Sequence, residues 1–168
     1  MAVAAVLIGC GGPPQEDVGP PLVAPELRAD YVTIDKSDRQ LLLWRDGNVI
    51  RSYEVGLGKN PVGHKMERGD SKTPVGNYII DWRNPNSQYY LSLHISYPDA
   101  NDIALAQAEG RDPGDMIMIH GAPNGYATVK SALGGAIDWT EGCIAVQSDE
   151  MLEIWQHVPD GTPITITE

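Results

Sequence analysis

Asp46-Gly47 separates two β-prone runs, 40–45 (QLLLWR) and 48–57 (NVIRSYEVGL), and no other local feature restricts the chain so strongly. A two-residue hairpin turn needs positive φ at its centre, which Asp-Gly adopts at low cost. Other segments read the same way. Residues 31–35 (YVTID) alternate with Val32 and Ile34 on one face, and 76–82 (GNYIIDW), 91–97 (LSLHISY) and 163–167 (PITIT) are β-prone. Met116-Ile117-Met118-Ile119 is wholly apolar and bounded by Pro113-Gly114 and Gly121, the pattern of a central strand buried on both faces, although periodicity alone does not separate it from helix. Helix is scarcer: 102–109 (DIALAQAE) stops at Gly110. A second helix opens with Ser148 as N-cap and carries Met151, Leu152, Ile154, Trp155 and Val158 on one face, before Pro159-Asp160-Gly161 breaks it. With 18 Gly and 13 Pro in 168 residues the chain is turn-rich, and residues 30–168 are expected to form one mainly-β domain with one or two short helices.

The N-terminus has a different character. Residues 1–9 (MAVAAVLIG) are apolar and run into Cys10, and Leu7-Ile8-Gly9-Cys10 resembles the bacterial lipobox, whose Cys is acylated. Residues 1–10 are therefore expected to be a lipoprotein-type signal segment, with lipid on Cys10 as the only attachment to a membrane. No apolar run reaches the 18 residues a spanning helix needs. Residues 11–29 are Pro- and Gly-rich without apolar period, so they read as an extended linker tethering the domain.

Charge removes one class of partner. Twelve Lys and Arg against 23 Asp and Glu give −11, the wrong sign for a nucleic-acid backbone. If Cys10 carries lipid, Cys143 has no partner in the chain, and an exported protein with one unpaired Cys points to a reactive thiol or an intermolecular link. Zinc is disfavoured, because no Cys-x-x-Cys or His-x-x-x-His spacing exists.

His120 closes the apolar 116–119 run and is followed by Gly121, whereas Cys143 lies in Trp139-Thr140-Glu141-Gly142-Cys143-Ile144, just before the Ser148 helix. A thiol becomes a good nucleophile when a base takes its proton. Gly142 allows a tight turn in which neighbouring N–H groups converge on an oxyanion. On their own, one His and one Cys are more often a turn and a buried thiol.

Together they are more specific. Ile119-His120-Gly121, an 18-residue spacer, then Thr140-x-Gly142-Cys143-Ile144 resembles the signature of the L,D-transpeptidase (YkuD-type) family. Thr73-Pro74-Val75-Gly76, Tyr97-Pro98 and Pro113-Gly114 stand in the family's order, so the resemblance covers about 31–166. It implies a β-sandwich-like catalytic domain acting on peptidoglycan stem peptides in the periplasm, without metal or organic cofactor. Carried over, Cys143 is the nucleophile, His120 the base and the Gly121 carbonyl its orienter. The backbone N–H groups of Glu141, Gly142 and Cys143 form the oxyanion hole. The acyl-enzyme, formed with loss of D-Ala, passes to an amine on another stem or on a wall-anchored lipoprotein.

Two positions depart from the family pattern: Glu141 replaces its His and Ala145 its Arg. Glu141 adds a negative charge beside the thiol, and Ala145 removes a cation. Three activities stay open: transferase, a same-fold hydrolase (L,D-amidase or carboxypeptidase), and a wall-binding module with an idle pair. Papain-type and NlpC-type hydrolases are disfavoured because their Cys precedes the His. Around the motif, His94, Tyr97, Trp139 and Thr140 are expected to contact substrate, with His94 weighed against a structural role. Lys72 is a solvated loop lysine or a carboxylate partner, His64 a surface residue and His157 a partner of its helix dipole.

Overall fold

The computed structural model describes residues 19–125 and 137–168, so the signal segment ending at Cys10 lies outside the described residues. Eight strands form one sheet in the order β3-β2-β1-β8-β4-β5-β6-β7. They are β1 (Tyr31–Asp35), β2 (Gln40–Arg45), β3 (Asn48–Glu54), β4 (Gly76–Ser87), β5 (Tyr90–Ile95), β6 (Met118–His120), β7 (Ile144–Ala145) and β8 (Thr162–Thr167). Pairings are antiparallel except β1–β8 and β6–β7. The sheet curls until its ends meet: Gly56, just beyond β3, bridges Ala145 of β7, and Gly58 bridges Thr140. The expected mainly-β fold is the one observed, with helices α1 (Ala100–Ala108) and α2 (Ser148–His157).

The period-2 pattern places the core. Val32, Ile34, Leu41, Leu43, Leu93, Ile95, Ile164 and Ile166 turn inward and are essentially inaccessible. Met151, Ile154 and Trp155 of α2 join the same core, the helix packing on β5 and β6. The Asp46-Gly47 turn forms as expected, with both residues at positive φ. All three residues of β6 are buried, as a strand covered on both faces must be, but it starts at Met118. Met116 sits instead at φ +60° in the loop after Gly114, which delays the extended run. β4 outruns its expected end at Trp82 because it serves two neighbours, 76–80 pairing with β8 and the rest with β5 across two register shifts.

Both helix starts differ from expectation. Asp99 caps α1, accepting from Asn101 N at 2.7 Å while Asp102 accepts from Asp99 N at 2.9 Å. For α2 the N-cap is Gln147, whose N–H donates to Glu150 at 2.9 Å, so Ser148 is the first helical residue. The Ser148 hydroxyl accepts from Ala122 N at 3.2 Å and ties the loop after His120 to the helix.

The linker expected over 11–29 is corrected for its second half, which lies against the domain. Val23 N and Ala29 N donate to the Gln156 and His157 carbonyls at 2.9 and 2.8 Å. These are helix-end acceptors that lack an intrahelical donor, so even a Pro-rich chain finds partners there. Trp155 Nε1 donates to Pro20 O at 2.8 Å, and residues Pro25–Leu27 form a 3₁₀ turn.

Trp155 thus joins core, helix and strap. Trp155→Ala is expected to lower the unfolding free energy by about 3–5 kcal/mol. Trp155→Phe, which loses mainly the bond to Pro20, should cost about 1–2 kcal/mol. Denaturant melts decide; a loss below about 1 kcal/mol for the Ala variant would contradict this packing.

Candidate active site

Three segments converge where the sheet closes. Gly56 and Ala145 exchange two main-chain bonds (2.9 and 2.8 Å), Thr140 N donates to Leu57 O, and Lys59 N donates to Thr140 O at 3.0 Å. The third segment carries Thr73, fully buried, whose hydroxyl accepts from Gly58 N at 3.2 Å and donates to Gly142 O at 3.0 Å. Gly142 has φ +131°, and a Cβ there would stand 2.6 Å from Lys72 O. At Gly58 a Cβ would meet Ser71 O at 2.1 Å. Only glycine permits such approaches.

The Cys143 turn is locked from within. Thr140 Oγ1 donates to Cys143 O at 2.7 Å and accepts from Gly142 N at 3.1 Å. The Thr140 hydroxyl thus holds the turn, while the residue itself lines the cavity beside Cys143. One of the three amides expected in the oxyanion hole, that of Gly142, is also engaged.

His120 ends β6, where it pairs in parallel with Ala145, and its carbonyl accepts from Val146 N at 3.0 Å. Its Nδ1 lies 2.8 Å from the Gly121 carbonyl, which can only accept, so the proton is on Nδ1 and Nε2 keeps its lone pair. Burial pushes the imidazole below its ordinary range and keeps it neutral. Tyr89 packs over the ring at 4.5 Å and Trp139 meets it edge-on at 5.6 Å. His120, Cys143, Trp139, Tyr89 and Thr140 line one cavity of about 320 Å³ together with the exposed Lys59 and Glu141.

Cys143 is half-buried, and a second cavity of about 180 Å³ lies on its other side, walled by Lys65, Arg68, Met116 and Ile117. Burial pushes the thiol up, while the Met118 N–H and the Lys65 ammonium pull it down. Glu141 is paired with Lys59 and accepts from Ser71 Oγ at 2.5 Å, and both hold its carboxyl below the usual range. The charge that Glu141 brings to the thiol is thus met by a cation.

The remaining expected contacts are redistributed. Trp139 does wall the cavity. Tyr97 is buried, its hydroxyl 3.0 Å from Pro113 O and 3.3 Å from Lys65 O, so it braces loops rather than facing substrate. His94 stacks on Trp82 at 4.7 Å with Nδ1 2.6 Å from Asp81, and it lines neither cavity. His64 is partly exposed but not free: its Nδ1 accepts from Val75 N at 3.0 Å and its Nε2 lies 3.0 Å from Asp102. His157 Nδ1 donates to Glu153 O within its own helix. Tyr89, Lys59 and Lys65 escaped sequence reasoning. Tyr89 sits in the short turn between β4 and β5, and a tyrosine beside a turn was the signal available. Among the described residues no cluster of three or more His, Cys, Asp or Glu is set to hold a metal.

The two threonines make a testable lock. Thr140→Val is expected to slow iodoacetamide alkylation of Cys143 by about tenfold, the cost of one buried hydrogen-bond pair. An unchanged rate with an unchanged melting temperature would show that the turn holds without it.

Comparison with known proteins places the fold. The family model described as the L,D-transpeptidase catalytic domain, YkuD, matches residues 29–166. YafK of Escherichia coli K12, provisionally named an L,D-transpeptidase, is 34% identical over 98 residues, 54% of this chain and 37% of YafK. YqjB of Bacillus subtilis, provisionally named likewise, is 27% identical over 143 residues, 82% of this chain and 71% of YqjB. Among solved structures, the helical cell shape determining protein Pgp2 (K307A mutant) of Campylobacter jejuni superposes with TM-score 0.60 and 26% identity, covering 85% of this chain and 50% of Pgp2. An L,D-transpeptidase from Mycobacterium smegmatis shares the fold at TM-score 0.54 and 16% identity, over 82% of this chain and 58% of that one. The chain thus spans little more than a third of YafK and half of Pgp2. By its fold and by the match over 29–166, the chain belongs to the L,D-transpeptidase (YkuD) catalytic-domain family.

Proposed function

We propose that the chain is a cysteine-dependent L,D-transpeptidase acting on peptidoglycan stem peptides in the cell envelope. The observation that carries this reading is the cavity shared by Cys143 and a neutral His120 whose Nδ1–H is fixed on Gly121 O. His120 Nε2 accepts the thiol proton as Cys143 Sγ attacks the carbonyl before the terminal D-Ala of a tetrapeptide stem. The oxyanion of the tetrahedral intermediate is met by the Glu141 and Cys143 amides, with that of Gly142 held by Thr140. Collapse expels D-Ala, its amine taking the proton back from His120, and leaves a thioester on Cys143. An amine of a second stem or of a wall-anchored lipoprotein then attacks, giving the new amide and restoring the thiol.

The second reading is hydrolysis of the thioester. The cavity of about 180 Å³ beyond Cys143 is small beside the roughly 300–1,000 Å³ of ordinary ligand pockets, and a water needs far less room than a peptide amine. A role in wall architecture is consistent with Pgp2, described as a helical cell shape determining protein. Attachment through lipid on Cys10 belongs to the same proposal, as does placement in the periplasm.

Intact-mass spectrometry after incubation with disaccharide-tetrapeptide stems tests it. The expected result is an acyl adduct on Cys143 with loss of D-Ala, absent from Cys143→Ser and formed about 10²–10⁴-fold more slowly by His120→Ala. Cross-linked dimers would mark the transferase and shortened stems the hydrolase; neither adduct nor product would leave a wall-binding module.

The electrostatics predict a pH profile. Burial raises the thiol and lowers the imidazole, so thiol and base rest as a neutral pair rather than as thiolate and imidazolium. Alkylation of Cys143 should therefore keep rising up to and beyond pH 9.0, the ordinary thiol value. A plateau reached near pH 6–7 would reveal a preformed ion pair instead.

A further inference from the structure

The Lys59–Glu141 ion pair lines the cavity that His120 and Cys143 share, and the reaction above uses neither side chain. Both side chains are more than half exposed, at 57% and 66%, a setting in which an ion pair adds little to stability. Its supports are nevertheless built. Lys59 N donates to Thr140 O, Asn60 N donates to Ser71 O, both at 3.0 Å, and Ser71 Oγ reaches Glu141 at 2.5 Å. Two opposite charges are thus fixed at their bases, side by side on the wall of the cavity that the nucleophile shares. Glu141 also lines the smaller cavity beyond Cys143, so its carboxylate borders both approaches to the sulfur.

Such a pair is complementary to a ligand that itself carries both charges close together. Each side chain exchanges its partner for the opposite charge on the ligand, and no charge is left uncompensated when the ligand covers the site. We propose that Lys59 and Glu141 form a specificity site for a substrate group bearing an ammonium and a carboxylate on one carbon, the α-amino-acid end of a diamino-acid side chain. Glu141 takes the ammonium and Lys59 the carboxylate. The inference rests on the stem-peptide reading above and adds to it the residues that read the side chain of the donor.

Three synthetic tetrapeptide donors test it, alike in their terminal D-Ala and differing only at the diamino-acid side-chain end. One ends in ammonium and carboxylate, one in ammonium and carboxamide, one in N-acetyl and carboxylate. D-Ala release gives kcat/KM for each. The native protein is expected to prefer the first over each of the others by about tenfold, the worth of one charge-assisted hydrogen bond. Lys59→Met should bring the preference over the carboxamide to within about twofold and keep that over the acetylated donor. Glu141→Gln should do the converse, and Lys59→Arg should retain both preferences. Equal use of all three donors by the native protein, or variants that slow all three by one common factor, would overturn the proposal while leaving the donor reading intact. Release of D-Ala from none would overturn both.

Discussion

The two main-chain hydrogen bonds between Gly56 and Ala145 decide what the rest of the molecule can do. They join the segment after β3 to β7, the far edge of the sheet, and so turn an open sheet into a curled one. Closure serves two purposes. It satisfies edge groups that would otherwise offer themselves to other chains. It also brings the Thr140–Cys143 turn, the Thr73 segment and the end of β6 to one place. The parallel β6–β7 pairing sets His120 opposite Ala145, two residues from Cys143. Ala145 itself is wholly buried, its backbone paired with β6 on one side and Gly56 on the other.

Charge balance around the sulfur follows a similar economy. The chain carries −11 overall, and Glu141 adds to it beside the thiol. Lys59 neutralises Glu141 directly, and the buried Lys65, bonded to Asp70 at 2.8 Å, lines the smaller cavity and pulls the thiol down. The site is therefore close to electrically neutral, with an uncharged imidazole and a protonated thiol at rest. In the proposed reaction the proton would move as the carbonyl arrives, with no stable thiolate held among carboxylates.

Much of this was legible in the sequence, and the division has a physical basis. Features written in a few adjacent residues were read correctly: the Asp46-Gly47 hairpin, the doubly buried β6, and the Gly-flanked turn around Cys143. Features that depend on side-chain partners are less legible. Thr140 lines the cavity, but the sequence does not show that its hydroxyl also holds Gly142 and Cys143, nor that Tyr97 braces Pro113 and Lys65. His64 reads as a surface residue because nothing near it in sequence announces Asp102, which stands on α1. The Pro-rich strap at 19–29 has too little apolar content to predict docking, and the carbonyls that hold it belong to the end of α2. Lys59 and Glu141 are 82 positions apart, and no local pattern links them.

Amide hydrogen exchange at Gly56 and Ala145, read by NMR in the native protein, tests the role of closure most directly. If closure is part of the core, both amides exchange only through global unfolding, with the protection of Leu93 and Ile119 in the central strands. If they exchange orders of magnitude faster than those strands, the edges part while the core stays folded. Closure would then not be what keeps Cys143 and His120 in one cavity.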